Sequence, residues 1–450
     1  MLPFNQIAVS TALLCFSALA AGGTSQGDPA TQLRNQAAQF PKRVIEVAPD
    51  VYTAVGYSPS NVSMVIGPNG VVIIDTGLDT VQAAEIKAAF RTITSKPVSA
   101  IILTHSHGDH TGGVSVFKES NSVDVWGRQN FGTENEPFNS AGLTYQTVRG
   151  ARQSGFKLPP SQRINNGIAP LLYPSKGGAA YISNEAAKPT QHFKTPEKNL
   201  EIAGLDLKLV AAPGESDDEL YVWLPRQSVL FSGDNFYHSF PNLYAIRGTP
   251  DRNINDWVKS LDQLLAVNAS HLVPGHTLPI DGAQEIKAVL TDYRDAIKFV
   301  HDKTVEGMNQ GLTPDALVEY VKLPENLANK DYLQPYYGNI EWGVRSIFSS
   351  YFGWFDGNAT NLFRLTPTET ASRMRDLAGG TDNLINAARD ALAEGDAQWA
   401  AVLADHLIAL HLEEGRALKA AALRNLAAHQ VNATARNYYL TVAQELDSQK

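Results

Sequence analysis

Three histidines and one aspartate stand within six residues in the segment Thr104-His105-Ser106-His107-Gly108-Asp109-His110. His105 and His107 are two residues apart at the end of an apolar run, so in extended geometry both rings point the same way. Together they can chelate one metal. Asp109 and His110 follow a glycine turn and can reach a second cation beside the first, at the roughly 3.5–4 Å spacing at which two metals share a hydroxide. A polar loop would explain any one of these residues, but not this density directly after a buried strand.

Further ligands must come from other strand ends. Glu215 follows the run ending Ala211-Ala212-Pro213-Gly214, and Glu219 lies one turn on. Asp234 follows Phe231-Ser232-Gly233, and His276 follows Val273-Pro274-Gly275. Each alone could be a cap or a turn residue; their shared placement after apolar runs groups them. Which of Glu215 and Glu219 would ligate stays open. Asp75 also ends a strand, and it is expected to support a histidine and not to bind metal itself. His238 stands out because it follows Asp234 in a polar, aromatic stretch, whereas His192, His271 and His301 have ordinary surface or core readings.

The elements that must position these groups follow from the patterning. Over residues 44–277 the punctuation suits an α/β layer. Strands are expected at 51–55, 63–66, 71–75, 98–103, 206–210, 220–223 and 228–231, with a Pro68-Asn69-Gly70 turn and a helix capped by Asp79. Residues 128–195, rich in Gly, Pro, Ser and Asn, read either as an insertion covering a site or as a solvated loop. Beyond 282 the period becomes helical, through Ile286, Leu290, Tyr293, Ile297 and Val300 to a stop at Gly311. Thr313-Pro314 and Thr366-Pro367 each open a further helix. The Leu and Ala stripes after 368 suit paired helices, without a clean repeat.

The chain has 450 residues, enough for two domains, with 43% hydrophobic and 18% charged residues. Its formal net charge of −9 and the lack of any basic run exclude nucleic acid as a partner. Residues 7–21 form an apolar run closing on Ala18-Leu19-Ala20, the pattern of a cleaved secretory signal, with a short uncleaved anchor as the alternative. The single cysteine, Cys15, lies inside that run. The mature protein is therefore expected to be free of cysteine, secreted or periplasmic, and to hold any metal by histidines and carboxylates. No stable membrane span is expected once the leader is removed.

The segment Thr104-His105-Ser106-His107, with Asp109, His110, Gly112 and Gly113, resembles the hallmark of the metallo-β-lactamase superfamily. Carboxylates stand in 212–219, where that superfamily commonly has a histidine. Together with Tyr351-Phe352-Gly353-Trp354-Phe355-Asp356-Gly357-Asn358, this is similar to the zinc-dependent linear alkylsulfatases. The resemblance runs over about 44–446. It implies an αββα sandwich of the metallo-β-lactamase type over 40–295, after a leader at 1–21, and an all-α dimerisation domain over 296–450. It further implies two zinc ions per chain, one held by His105, His107 and Glu215 and the other by Asp109, His110 and His276. Asp234 takes the place of a bridging carboxylate that is usually glutamate. Asn242, Tyr244 and Arg247 match the segment lining a sulfate pocket. Longer members carry a sterol-carrier-like domain that helps shelter an alkyl chain, beyond the position where this sequence ends, so the resemblance does not imply a preference for long detergents.

The expected chemistry is hydrolysis of a sulfate ester, most directly an alkyl sulfate, by a metal-bridging hydroxide. Asp109, Arg247, His238 and Tyr244 are the expected catalytic groups. Arg247 suits a pair of sulfate oxygens because its planar fork keeps its charge. His238 and Tyr244 are candidates, by position, for the donor to the leaving alkoxide. The expected partners are a small sulfate ester and a second copy of the chain, in a homodimer. The alternatives are a lactonase, β-lactamase or phosphodiesterase on the same metal platform, or an exported binding or scaffold protein.

Overall fold

The computed structural model describes residues 28–170 and 188–448. The expected leader and Cys15 lie outside them. Two sheets stack face to face, and the alternation within each strand explains why. The first runs in chain order: β1 Arg43–Ala48, β2 Val51–Val55, β3 Val62–Gly67, β4 Gly70–Ile74, β5 Val98–Ile102, β6 Asp124–Arg128 and β7 Gln191–Phe193. It is antiparallel up to β4 and parallel from there. The second comprises β8 Glu197–Ile202, β9 Leu205–Ala211, β10 Leu220–Leu224, β11 Val229–Gly233, β12 His271–Pro274 and β13 Ile280–Asp281, in the reverse spatial order.

Val72, Ile74 and Ile102 of the first sheet meet Leu207, Leu209, Val222 and Phe231 of the second in one apolar layer. The intervening residues Val71, Ile73 and Ile101 turn outward. There they pack under α2 Thr80–Arg91, through its Ala83, Ile86 and Phe90, with Asp79 as the expected cap. This is the period-2 pattern of a sheet buried on both faces. Helix α4 Val114–Phe117 packs on the same side through Val114 and Phe117; the other short helices are α1 Pro29–Ala37, α3 Gly108–Thr111, α5 Glu136–Ser140 and α6 Tyr145–Gln153.

The outer face of the second sheet, through Val210, Tyr221, Leu230 and Leu272, is covered by α7 Ile254–Val267 and α8 Ala283–Asn309. This completes the expected αββα sandwich. The expected boundary at 295/296 needs correction, because it falls inside the 27-residue α8. Moreover α9 Pro314–Tyr320, α10 Glu325–Ala328 and α11 Ile340–Phe352 add Leu317, Leu327, Val344 and Phe348 to the same core as α7 and α8. A helical stripe shows that a helix has a buried face, not which layer buries it.

A separate helical core begins only at α12 Pro367–Leu377, which Thr366 and Glu369 open with a full capping box. It continues through α13 Thr381–Ala393, α14 Ala397–Ala409, α15 Glu413–Ala428 and α16 Ala433–Ser448, built on Leu384, Leu403 and Leu407 and on close-packed alanines. Among the described residues no helix is long and apolar enough to cross a membrane.

Candidate metal centre

All the expected ligands emerge at one edge of the sandwich, because the segments that carry them follow strands ending on the same side. His105 and His107 follow β5, Asp75 follows β4, Glu215 follows β9, Asp234 follows β11 and His276 follows β12. Asp109 and His110 sit on the single turn of α3, which His107 precedes. Six side chains then fall into two groups whose ligand atoms lie within 4.8 Å of one another: His105, His107 and Asp234, and Asp109, His110 and His276.

A second partner fixes one ring nitrogen on three of the histidines. His110 Nδ1 lies 2.8 Å from Asp75 Oδ2, His276 Nδ1 lies 2.8 Å from the Pro59 carbonyl, and His105 Nδ1 lies 3.0 Å from the Thr104 hydroxyl. The Nε2 atoms of these rings are thereby left to the centre. His105 Nε2 stands 2.9 Å from His107 Nδ1, and His110 Nε2 stands 3.4 Å from His276 Nε2. Asp75 has the supporting place expected of it. It holds a left-handed backbone (φ 57°) that is uncommon for a residue with a side chain, and it also accepts from the Thr104 N–H at 2.9 Å.

Asp234 reaches both groups. Its carboxylate lies 3.6 Å from His105 Nε2, 3.3 Å from His110 Nε2 and 3.2 Å from His276 Nε2. Gly275 permits this approach, since a Cβ there would strike the Asp234 carboxylate and sit 3.0 Å from the His110 ring. The group expected to close on Glu215 closes on Asp234 instead. Glu215 is held off by Arg252, whose Nη2 donates to Glu215 Oε1 at 2.8 Å with both side chains buried. Glu215 still lines the cavity, whereas Glu219 does not. Glu219 Oε1 accepts from the Asp234 N–H and stands on the Nδ1 side of His105, at 3.8 Å.

The charges of the cluster follow from burial and neighbours. Burial, with the His110 charge, holds His105 well below the usual histidine value; burial and His105 do the same to His107. This favours the neutral imidazole, the form that ligates a metal. Burial works against protonating His110, but Asp234, Asp75 and Asp109 outweigh it and hold the ring well above its usual value. Burial would raise Asp234, yet His276, His110 and His105 together hold it well below the carboxylate range.

The donor set fits a pair of divalent cations. Nitrogen and carboxylate oxygen converge, the supporting partners are in place, and three buried carboxylate oxygens have no hydrogen-bond partner: Glu215 Oε2, Glu219 Oε2 and Asp234 Oδ1. Asp234 lies within the histidine cluster and Glu215 on the cavity wall beside it, so their orphaned oxygens are ones a cation would satisfy.

A cavity of about 380 Å³ opens over the cluster, walled by His107, Asp109, Glu215, Asp234, His276 and Arg247. Residues 135–168 form much of its far wall, with Phe138, Leu143, Phe156 and Ile168 beside Asn139, Thr147 and Gln153. This portion of the expected insertion covers the site. A wider cleft of about 650 Å³, between β8–β10 and the end of α7, contains none of the ligand residues.

Arg247 lies in the cavity with Nη2 3.4 Å from His107 Nε2. Three other expectations need correction. His238 does not line the cavity; its ring pairs with Asp331 at 3.2 Å on a half-buried surface. Asn242 is buried and does not line the cavity, its N–H donating to the Tyr237 hydroxyl at 2.7 Å and its carbonyl accepting from Arg252. Tyr244, half-buried, is not on the lining either. Closeness to Asp234 in sequence does not fix the direction of a side chain after the chain turns. Arg252 was missed, and as a lone arginine it gave no signal. The helix that follows it, α7, had one in the Asn253 cap before Ile254, Trp257, Leu261 and Leu264.

Two family models match the chain: the metallo-beta-lactamase superfamily over residues 55–276 and alkyl sulfatase dimerisation over 313–449. A linear primary-alkylsulfatase of Pseudomonas sp. is 37% identical over 395 residues, spanning 85% of this chain and 73% of that protein. An (R)-specific secondary-alkylsulfatase of Pseudomonas sp. is 30% identical over 431 residues, spanning 92% of this chain but 63% of its own length. The structure of a stereoselective inverting sec-alkylsulfatase from Pseudomonas sp. superposes with a TM-score of 0.82 at 29% identity, covering 90% of this chain and 65% of that one. The chain thus spans roughly two thirds of the length of these relatives. By its identity to them and by both family matches, it belongs to the alkylsulfatase family of the metallo-beta-lactamase superfamily.

Proposed function

We propose that this protein hydrolyses sulfate esters, alkyl sulfates foremost, with two zinc ions in the histidine–carboxylate cluster. The observation that carries the reading is Arg247, a fixed cation on the wall of the cavity that the two ligand groups underlie. Bound zinc supplies an activated water near neutral pH and positive charge against the ester oxygens. His105, His107 and Asp234 would hold one ion and Asp109, His110 and His276 the other, with Glu215 in reach of the cavity. Arg247 offers two parallel donors to two sulfate oxygens and sets the ester against the cluster. Asp75 and the Pro59 carbonyl keep the His110 and His276 rings in register. Leu143, Phe138 and Phe156 give the alkyl group an apolar wall and exclude water around the ester.

We also propose a homodimer and export. Trp354 and Phe363, 72% and 95% exposed, lie with the exposed Tyr351, Phe352 and Leu362 within residues 351–363, which supports an interface there. Export rests on the apolar run at 7–21, and a native chain beginning near Ala21 by mass spectrometry would bear it out. An intact Met1 on the native protein would reject it. The test of the activity is a metal count on purified protein together with turnover of alkyl sulfates, alkyl phosphates, lactones and lactams. Two zinc ions per chain and turnover confined to sulfates are expected. Preference for a lactone, lactam or phosphate would overturn the sulfatase reading and leave the metal centre standing.

A further inference from the structure

The residues around Arg247 have no regular structure of their own, yet three consecutive ones are gripped by a single helix face. Gln146 Nε2 donates to the Gly248 carbonyl, Arg149 Nη2 donates to the Ile246 carbonyl at 2.6 Å, and the Arg247 N–H donates to Gln153 Oε1 at 3.0 Å. Positions 146, 149 and 153 are spaced by three and four, so they share one side of α6. The result aims the Arg247 side chain at His107.

Helix α6 has nine residues, too short to persist alone. It is held from behind by the last helix. Arg152 pairs with Glu445 of α16 at 2.6 Å and lies over the rings of Tyr145 and Tyr438. Just beyond α6, Leu158 is buried against Ala427 and Leu440, and Asn437 donates to the Asn165 carbonyl at 3.1 Å. The chain of contact therefore runs from the C-terminal helical unit, through α6, to Arg247, the one arginine lining the cavity among the described residues, beside His107.

We propose that α6 is the positioning element of the anion subsite, with Arg149 as its central residue, and that α16 holds it in place. The helical unit then serves substrate binding as well as any assembly of subunits. Arg149 does not line the cavity, so it acts through the Arg247 backbone and not on the substrate. An arginine whose backbone is already fixed loses less freedom when it binds an anion, and that advantage appears as affinity. The proposal rests on the reading of Arg247 as the sulfate-binding group.

The test measures inhibition by inorganic sulfate and the KM for a short alkyl sulfate, beside kcat, zinc content and circular dichroism. Arg149→Met should raise both the sulfate inhibition constant and KM by about five- to tenfold, the scale of one well-placed hydrogen bond. The kcat should change less, and zinc content should be unchanged. Arg149→Lys should recover part of the loss by keeping a donor. Glu445→Gln, far from the cavity, should move the same two constants by about two- to threefold. If Arg247→Ala abolishes sulfate inhibition while Arg149→Met and Glu445→Gln match the wild type, the clamp is wrong and the sulfatase reading survives. If Arg247→Ala itself leaves sulfate inhibition intact, the functional reading fails and the clamp with it.

Discussion

Replacing Arg252 by methionine should destabilise the fold by an amount that depends on metal and on pH. Arg252 and Glu215 are each 3% exposed in their side chains and bonded at 2.8 Å. Arg252→Met leaves the Glu215 carboxylate buried without its cation, which costs about 3–5 kcal/mol. It also removes the bond to the Asn242 carbonyl, worth about 1 kcal/mol more. Against a total stability of roughly 5–15 kcal/mol this is a large fraction.

Glu215 can escape part of the penalty by taking up a proton. Burial already raises it, with Arg252 opposing, so loss of Arg252 raises it further. A carboxyl group whose folded value lies above its unfolded value, about 4.3 for glutamate, weakens the fold progressively as pH climbs from the unfolded value to the folded one. The variant's deficit should therefore be larger at pH 8 than at pH 5.5. Zinc should shrink it too, because Glu215, whose Oε2 has no hydrogen-bond partner, lines the cavity over the cluster that would hold the cation. Urea unfolding followed by tryptophan fluorescence, with chelator and with zinc at both pH values, measures each arm. A deficit under about 1 kcal/mol in chelator at pH 8, or one indifferent to zinc, would refute the reasoning.

Arg247→Ala should slow alkyl sulfate hydrolysis by about 100-fold or more at unchanged zinc content, with Arg247→Lys recovering only part, as steady-state kinetics and metal analysis would show. Adding zinc to chelator-stripped protein at pH 7 should release protons, because His110 is held well above its usual value and must give up its proton to ligate; affinity should fall as pH is lowered, by calorimetry in two buffers. Asp75→Asn, a change its left-handed backbone tolerates, should weaken zinc binding about 10–100-fold while the sandwich stays folded by circular dichroism. Trp354→Glu with Phe363→Glu should convert a dimer to a monomer by light scattering; a dimer that persists would place the interface elsewhere.

What the sequence determined was local. The strand of alternating or continuous apolar residues, the glycine turn after it and the four candidate ligands of 105–110 lie within a few residues of one another, so backbone geometry alone brings them together. The Asp79 and Thr366 caps and the Thr313-Pro314 helix start are likewise contained in single turns, and they appear where their sequences put them. The placing of Glu215, Asp234 and His276 at strand ends was legible for the same reason.

Tertiary structure alone decided the rest, since it depends on which surfaces meet. Glu215 and Glu219 are four residues apart, and only the turn between β9 and β10 sets one on the cavity and the other behind His105. His238 and Tyr244 are near Asp234 in sequence, but the chain turns them away from the cavity, while Arg247, a few residues on, is turned in. Helix α8 carries a stripe that any layer could bury, and the second sheet buries it, which moves the start of the separate helical core to Pro367. The bond between Arg252 and Glu215 spans 37 residues of chain, and the grip of α6 on Arg247 spans 94. No local period encodes such pairs, because they form only when separate layers have packed and low dielectric makes an unpartnered charge costly.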